Sequence, residues 1–249
     1  MLRIELDNNY IIQDSGTSEG TQIKYRKNGY WYKIDRDGKE GLVEYLASKL
    51  LSYSDLEKKD YIEYEQVIIN GKSGCRSADY LKDGESFITI YRLYYNEFGK
   101  NLAEVLARFD SMEERIEHTL SFVKKTTGLD MRDYLAKIFT LDRIILNEDR
   151  HVNNLAIIGD DNGYRVAPIF DNGRSLLTAN VSVNWNFDMK ENVRRVVAKP
   201  FSGSHESMYK YFGKGFNIDI TKALEWLKKE KESKERDVLI YQLTHLSDL

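Results

Sequence analysis

Between Asn147 and Asp171 the chain carries a run that leaves its backbone few options. The polar stretch Asn147-Glu148-Asp149-Arg150-His151-Val152-Asn153-Asn154 is followed by two β-rich segments and then by Asp171-Asn172-Gly173. Leu155-Ala156-Ile157-Ile158 and Tyr164-Arg165-Val166-Ala167-Pro168-Ile169-Phe170 are strand formers, and Gly159-Asp160-Asp161-Asn162-Gly163 between them has the composition that turns a chain back on itself. The spacing predicts a β-hairpin. Asn154, just before its first strand, and Asp171, just after its second, then meet at the same open end, with Asp149 on the loop that feeds it. One amide oxygen and two carboxylates converging at an edge are hard ligands of the kind Mg²⁺ takes, usually together with substrate phosphates. The arrangement points to phosphoryl transfer.

The rest of the chain sets the scale for such a site. With 249 residues, 41% of them hydrophobic, it can bury a core large enough for one large domain or two lobes. A formal net charge of -3, from 37 basic and 40 acidic residues, gives no global pull toward nucleic acid or an anionic membrane. Cys75 is the sole cysteine, so no internal disulfide forms, and neither a secretory apolar run nor a stretch approaching the roughly 20 apolar residues of a membrane span is present. A cytoplasmic protein is expected, without membrane or direct nucleic-acid contact.

Up to about residue 95 the pattern is β-like, with strand candidates at 10–12, 21–25, 30–34, 64–69 and 86–91 punctuated by Asn28-Gly29 and other glycines. One helix interrupts it: Leu42, Tyr45, Leu46 and Leu50 recur at helical spacing, Val43, Ala47 and Leu51 form a second apolar row, and Glu44 stands at the edge of that row. Beyond Asn101 helices take over. Ser111-Met112-Glu113-Glu114 is a capping box opening a helix toward Gly128, and a second helix, capped by Asp130, runs through Ile145 directly into Asp149. Residues 178–207 show no clear period and are expected to form a long functional loop, with closing helices near 221–230 and 234–246.

The amino-terminal part supplies what a nucleotide needs. Ser15-Gly16-Thr17-Ser18-Glu19-Gly20-Thr21 is a glycine- and hydroxyl-rich turn able to bring backbone N–H groups to phosphate oxygens, although the same composition suits an ordinary hairpin. Lys33 lies on the strand-like run that follows, and Glu44 on the next helix offers the anion that holds such a lysine extended. The adenine is expected between the two halves, against the link after Phe87-Ile88-Thr89-Ile90, with Tyr91, Arg92 and Leu93 at the hinge. His118, His151, His205 and His245 have no zinc-like spacing with one another or with Cys75. Lys190, Arg194, Arg195 and Lys199 in the long loop read as a solvated basic face.

Asp149-Arg150-His151, Asn154, the hairpin and Asp171 together resemble the catalytic and metal-binding motifs of HipA-like serine/threonine kinases, shared more distantly with phosphatidylinositol 3/4-kinases. Gly16-Thr17-Ser18, Lys33 and the Glu44-to-Leu51 segment are similar to the amino-terminal landmarks of the same family, and the likeness covers roughly residues 10–180. It implies an α+β, two-lobed protein-kinase-like fold with a small β-rich lobe at 1–95 and a mainly helical lobe at 96–249. It implies ATP and Mg²⁺ as cofactors, with Gly16, Thr17, Ser18, Gly20, Lys33, Tyr91 and Leu93 at the nucleotide. Asp149 would orient or deprotonate the acceptor hydroxyl, Asn154 and Asp171 would hold the metal, Lys33 would neutralise phosphates, Glu44 would position Lys33, and His151 would fix the catalytic loop. Family members include toxins of bacterial toxin–antitoxin pairs, some acting on aminoacyl-tRNA synthetases, which implies a protein substrate in translation, an antitoxin partner and autophosphorylation in the glycine turn. Many relatives are longer at the amino terminus, where this glycine turn begins almost at once. A lipid or small-molecule kinase using the same site, or a nucleotide-binding pseudokinase scaffold, fits the same motif.

Overall fold

The computed structural model describes residues 1–12, 23–178 and 180–246. The glycine turn bearing Gly16, Thr17, Ser18 and Gly20, with the hydroxyls expected to accept phosphate, lies outside the described residues.

Five strands form the first sheet: β1 (Leu2–Ile4), β2 (Lys24–Lys27), β3 (Tyr30–Ile34), β4 (Glu65–Ile69) and β5 (Lys72–Ala78), in the order β1-β4-β5-β3-β2. All neighbours are antiparallel except β1 and β4. Asn28-Gly29 closes the β2–β3 hairpin with both residues at positive φ, the backbone that this two-residue turn requires. Asn70-Gly71 does the same between β4 and β5.

Helix α1 (Glu40–Leu51) lies against β4 and β5 of this sheet, while its Val43, Leu46, Ala47, Leu50 and Leu51, each no more than 1% exposed, join the main hydrophobic core with residues of the helical half such as Ile90 and Leu141. The approach is close because two glycines meet. A Cβ on Gly41 would come within 2.5 Å of the Gly74 carbonyl carbon, and one on Gly74 within 2.2 Å of the Lys33 carbonyl oxygen. A side chain at Gly41 would push the helix from the sheet, and one at Gly74 would strike the neighbouring strand β3; the close approach at Gly41 helps to set Glu44 beside Lys33.

A second, three-stranded antiparallel sheet combines β6 (Ser86–Thr89) with the hairpin β7 (Ala156–Asp160) and β8 (Gly163–Val166), in the order β6-β7-β8. The hairpin predicted between Asn154 and Asp171 is therefore present, and a strand from the amino-terminal part extends it.

The remaining elements are helical: α2 (Ile90–Phe98), α3 (Leu102–Leu106), α4 (Met112–Thr127), α5 (Arg132–Ile145), α6 (Met189–Val193), α7 (His205–Phe212), α8 (Ile220–Lys229) and α9 (Lys234–His245). The Ser111 capping box forms as its sequence demands, with the Ser111 Oγ accepting from the Glu114 N–H at 3.1 Å. Helix α5 is the spine of this half. Ile138, Leu141, Ile144 and Ile145 are fully buried, and it ends at Leu146 in the left-handed region, which swings the chain into Asn147 and Asp149. No helix among the described residues is long and apolar enough to cross a membrane.

The architecture is α+β, a β-rich amino-terminal part and a mainly helical remainder. Three details depart from the sequence reading. The run expected as a strand over 86–91 splits: it is extended to Thr89, whose Oγ1 caps α2 by accepting from the Arg92 N–H at 3.1 Å, so Tyr91, Arg92 and Leu93 are helical. Residues 8–10 form a short 3₁₀ turn, leaving Ile11 with an isolated bridge to Tyr25 in place of the expected strand. The long loop at 178–207 contains α6 and reaches the first turn of α7.

His205 opens α7, and neither of its buried ring nitrogens has a hydrogen-bond partner among the described residues. Burial pushes its pKa down to about 4. An unfolded histidine titrates near 6.5, so between that value and about 4 the unfolded chain binds the proton and the folded chain does not. The contribution is complete above the unfolded value and is lost as pH falls. Unfolding free energy is expected to drop by about 2 kcal/mol from pH 7 to pH 5 on this account, and His205→Phe should remove that part of the slope in urea titrations at the two pH values.

Candidate active site

Lys33 is on β3, Glu44 one turn into α1, and Asp171 at the exit of the β7–β8 hairpin. A strand, the helix that follows it and a turn whose Asp171 lies 138 residues beyond Lys33 meet at one ammonium: Lys33 Nζ is 2.9 Å from Glu44 Oε1 and 2.9 Å from Asp171 Oδ1. Glu44 is 1% exposed, and its Oε2 accepts the Asn172 N–H at 2.9 Å, so its carboxylate also fixes the backbone after Asp171. Burial disfavours the ammonium, but the Asp171 and Glu44 carboxylates overcome it and hold the Lys33 pKa well above its ordinary value. Burial works against the Asp171 carboxylate too, and the Lys33 and Lys24 ammoniums reverse that and hold its pKa far below the usual carboxylate range. Glu44 is raised, burial being the dominant cause.

Asp171 occupies the left-handed region at φ 57°, a backbone that Asp and Asn tolerate better than most residues. Strain at such a position is held by the surroundings, and here the holder is Arg150. Its side chain is fully buried and spans three segments. Nε and Nη2 donate to the Asp142 carboxylate of α5 at 2.9–3.3 Å, Nη1 to the Phe170 carbonyl at 2.6 Å and to the Asn154 carbonyl at 3.3 Å, and Nη2 to Asn172 Oδ1 at 2.7 Å. The loop carrying Asn154 and the turn carrying Asp171 are thus fastened to each other through one guanidinium and to the spine helix through Asp142.

On the loop between α5 and β7, Asn147 Oδ1 accepts the Asp149 N–H at 2.8 Å, and Asn154 Nδ2 donates to the Asp149 carbonyl at 2.8 Å. That bond commits the Asn154 amide: its Oδ1 is buried and has no hydrogen-bond partner among the described residues. A buried acceptor without a donor is costly unless a cation or donor meets it. Together with Asp171 it fits a divalent cation held by two protein oxygens and by substrate phosphates. Among the described residues there is no group of three or more His, Cys, Asp or Glu side chains that would hold a metal unaided.

Asp149 is half-exposed. Its Oδ1 accepts from Lys199 Nζ at 3.0 Å, while His151 Nε2 is 3.9 Å from its Oδ2, too long for a hydrogen bond. His151 Nδ1 is buried without a partner, and its N–H donates to the Asp149 carbonyl at 2.8 Å, so this histidine shapes the loop through its backbone.

The structure therefore brings together Lys33, Glu44, Asp171, Asn154, Asp149 and His151. Tyr91 and Leu93 do not line the cavity beside Lys33: Leu93 is buried in the helical core and Tyr91 stacks on Tyr95, both on α2, whose first residue bonds the Leu155 carbonyl next to Asn154. The apolar cavity beside Lys33 is lined instead by Trp31, Ile62, Tyr64, Phe87 and Phe170, with Lys24 on its wall. Lys24 escaped the sequence reading although it is the direct cross-strand partner of Lys33. Paired residues project from the same face of a sheet, so the β2–β3 pattern held the signal. Burial lowers the Lys24 pKa, Asp171 opposes that, and Lys33 adds to it. Cys75, opposite Lys33 on β5, is buried with its thiol pKa pushed up by burial, which suits a packing role.

No family profile and no curated protein sequence matches the chain. Among solved structures it is similar to the Helicobacter pylori proinflammatory kinase CtkA, with a TM-score of 0.64 and 15% identity over 97% of this chain and 93% of that one. It also aligns with HipA from the Shewanella oneidensis MR-1 toxin–antitoxin system, solved with HipB and operator DNA, with a TM-score of 0.44 and 13% identity over 96% of this chain and 56% of that one. The first similarity shows a shared kinase-like fold.

Proposed function

We propose that this chain is an ATP-dependent serine/threonine protein kinase of HipA-like character, with lobes at 1–95 and 96–249. The observation that carries the reading is the convergence of Lys33, Glu44 and Asp171 within 2.9 Å contacts, with Asn154 Oδ1 buried and without a partner among the described residues, on the loop that Arg150 ties to the Asp171 turn. A structural ion pair would need no third charge and no orphaned acceptor.

Asn154 and Asp171 are the residues that would hold Mg²⁺, which when bound neutralises charge on the phosphates. Lys33, kept extended by Glu44, presents its ammonium to phosphate oxygens. Asp149 receives or orients the acceptor hydroxyl proton through its carboxylate, while the Asn147 and Asn154 amides hold its backbone N–H and carbonyl in place. Because such transfer is mostly positioning and charge stabilisation, the rigid Arg150 network is part of the device. Phe87 and Phe170, in edge contact with ring centres 5.0 Å apart, would flank the adenine. The cavity measures about 40 Å³, far below the usual several hundred for a ligand site. Its walls must part for the base to enter.

The family resemblance supports a protein substrate in translation such as an aminoacyl-tRNA synthetase, an antitoxin partner, a cytoplasmic setting, and autophosphorylation between Ser15 and Thr21. Each added phosphate there would carry about −2 charge and oppose the nucleotide phosphates.

Lys24 offers a test of where the phosphates go. Lys24→Met should raise the KM for ATP about tenfold, the loss of one charge-assisted hydrogen bond, with a smaller change in kcat. Steady-state kinetics checks it, with Mg-ATP affinity by calorimetry alongside. An unchanged KM and affinity would place the phosphates away from the β2–β3 face and count against the proposed nucleotide site.

A further inference from the structure

The basic residues Lys190, Arg194, Arg195 and Lys199 of the long loop were expected to form a solvated face, yet one of them has a specific partner: Lys199, 50 positions after Asp149, bonds the Asp149 carboxylate at 3.0 Å. It also forms part of the wall of a second cavity, of about 410 Å³, within the range of ligand sites. This cavity shares no lining residue with the one beside Lys33. Asp171 is tied to the first through Lys33, and Asp149 to the second through Lys199. The base that would accept the hydroxyl proton thus stands at the edge of a space the nucleotide site does not use.

The chemistry of that space is specific. Ala103, Leu106, Ala107, Val152 and Pro200 make most of its wall apolar, and its polar members are Arg115, His151 and Lys199. No carboxylate lines it among the described residues. Arg115 Nη1 and Nη2 donate to the Phe201 and Phe109 carbonyls at 3.0 and 2.9 Å, so the guanidinium is held in place; among the described residues it forms no direct ion pair, and its charge reaches a carboxylate only at a distance, at Glu114. Lys199 is half-exposed and spends one of its three N–H donors on Asp149.

From this geometry we infer that the cavity is the acceptor site, and that it takes an extended peptide segment whose Ser or Thr is flanked by an apolar side chain and a carboxylate. The inference rests on the protein-kinase reading and adds substrate selection to it. The apolar side chain fills the Ala103–Val152 wall, and the carboxylate meets Arg115 and the outer N–H groups of Lys199. In that bound state Lys199 joins the acceptor segment to Asp149. The transfer itself is the balanced one already proposed: the acceptor oxygen forms the new bond to the γ-phosphorus, the bond to the β-phosphate oxygen breaks, ADP leaves, and the hydroxyl proton passes to Asp149.

The test is phosphorylation of a degenerate Ser/Thr peptide library with γ-labelled Mg-ATP by the full chain. Because preference is a ratio within one enzyme, it is independent of overall rate. Wild type should favour Asp or Glu over Lys beside the acceptor by about fivefold and a large apolar residue over Gly by about tenfold. Lys199→Ala should weaken the acidic preference and leave the apolar one, and Ala103→Trp, which fills the wall at an exposed position, should do the reverse. Peptide phosphorylation without either preference, or preferences that neither variant moves, overturns the acceptor site while leaving the kinase reading standing. Mg-ATP binding with no peptide labelled at all removes both.

Discussion

Asp171→Asn is expected to lower phosphoryl transfer by at least about 10³-fold, in keeping with the loss of one preorganised charge-stabilising group. Asparagine is chosen because it accepts the left-handed backbone at φ 57° nearly as well as aspartate, so the turn and its packing survive. What disappears is charge. Lys33 loses one of its two carboxylate partners at 2.9 Å, and the cation site keeps only the Asn154 oxygen and a neutral amide. Folding should hold, because removing Asp171's negative charge relieves the repulsion that helps to raise the pKa of buried Glu44, while Glu44 still pairs with Lys33. Measured together, transfer rate and thermal midpoint separate the two effects. A variant that melts near wild type but transfers normally would mean that Asp171 is a structural partner of Lys33 and nothing more.

The largest expected effect on stability is at Arg150. Arg150→Met takes a fully buried guanidinium from among Asp142, Asn172 and the Phe170 and Asn154 carbonyls. Asp142, also fully buried, is left as a charge without its partner. Breaking one side of a buried ion pair costs about 3–5 kcal/mol, most of it the stranded charge. The double variant Arg150→Met with Asp142→Leu should therefore recover a good part of that loss while leaving transfer impaired, since Asn154 and Asp171 would no longer be fastened together. Urea unfolding of the three proteins checks this. If the single variant unfolds at the wild-type midpoint, the guanidinium is not what holds the loop and the turn in register.

How far these residues could be read from the chain depends on the range of the interaction. The hairpin, the Ser111 capping box and the amphipathic α1 and α5 are local patterns, set by turn composition, by side-chain caps and by helical spacing, and each formed where its pattern placed it. Asn154 and Asp171 could be placed together from the hairpin that joins them, and Lys33 with Glu44 from a strand lysine followed by a helix glutamate, while the family resemblance supplied the long-range pairing of the two groups that local rules lack. Strand β5 was not. Its sequence, Lys72-Ser73-Gly74-Cys75-Arg76-Ser77-Ala78, lacks an apolar alternation, and it is extended because β3 and β4 bond it on both sides while Gly74 lets α1 approach. The apolar run at 86–91 was ambiguous in period, and the Thr89 cap decided where the strand gives way to α2. Lys199 and the Asp142–Arg150 contact had no local signature at all: a lysine in a polar loop and an aspartate within a helix reveal their partners only when the chain is folded.

Transfer of labelled γ-phosphate from Mg-ATP, with wild type and Asp149→Ala run side by side against bacterial lysate, reaches the central claim most directly. Asp149 is half-exposed and outside the apolar core, so its replacement should leave the fold intact. Label on serine or threonine of the chain itself or of a discrete protein, absent with Asp149→Ala, is the expected result. Mg-ATP binding by both proteins with no label on any protein, or equal labelling by the two, would contradict it and leave the fold to a different acceptor or to a role as a nucleotide-binding scaffold.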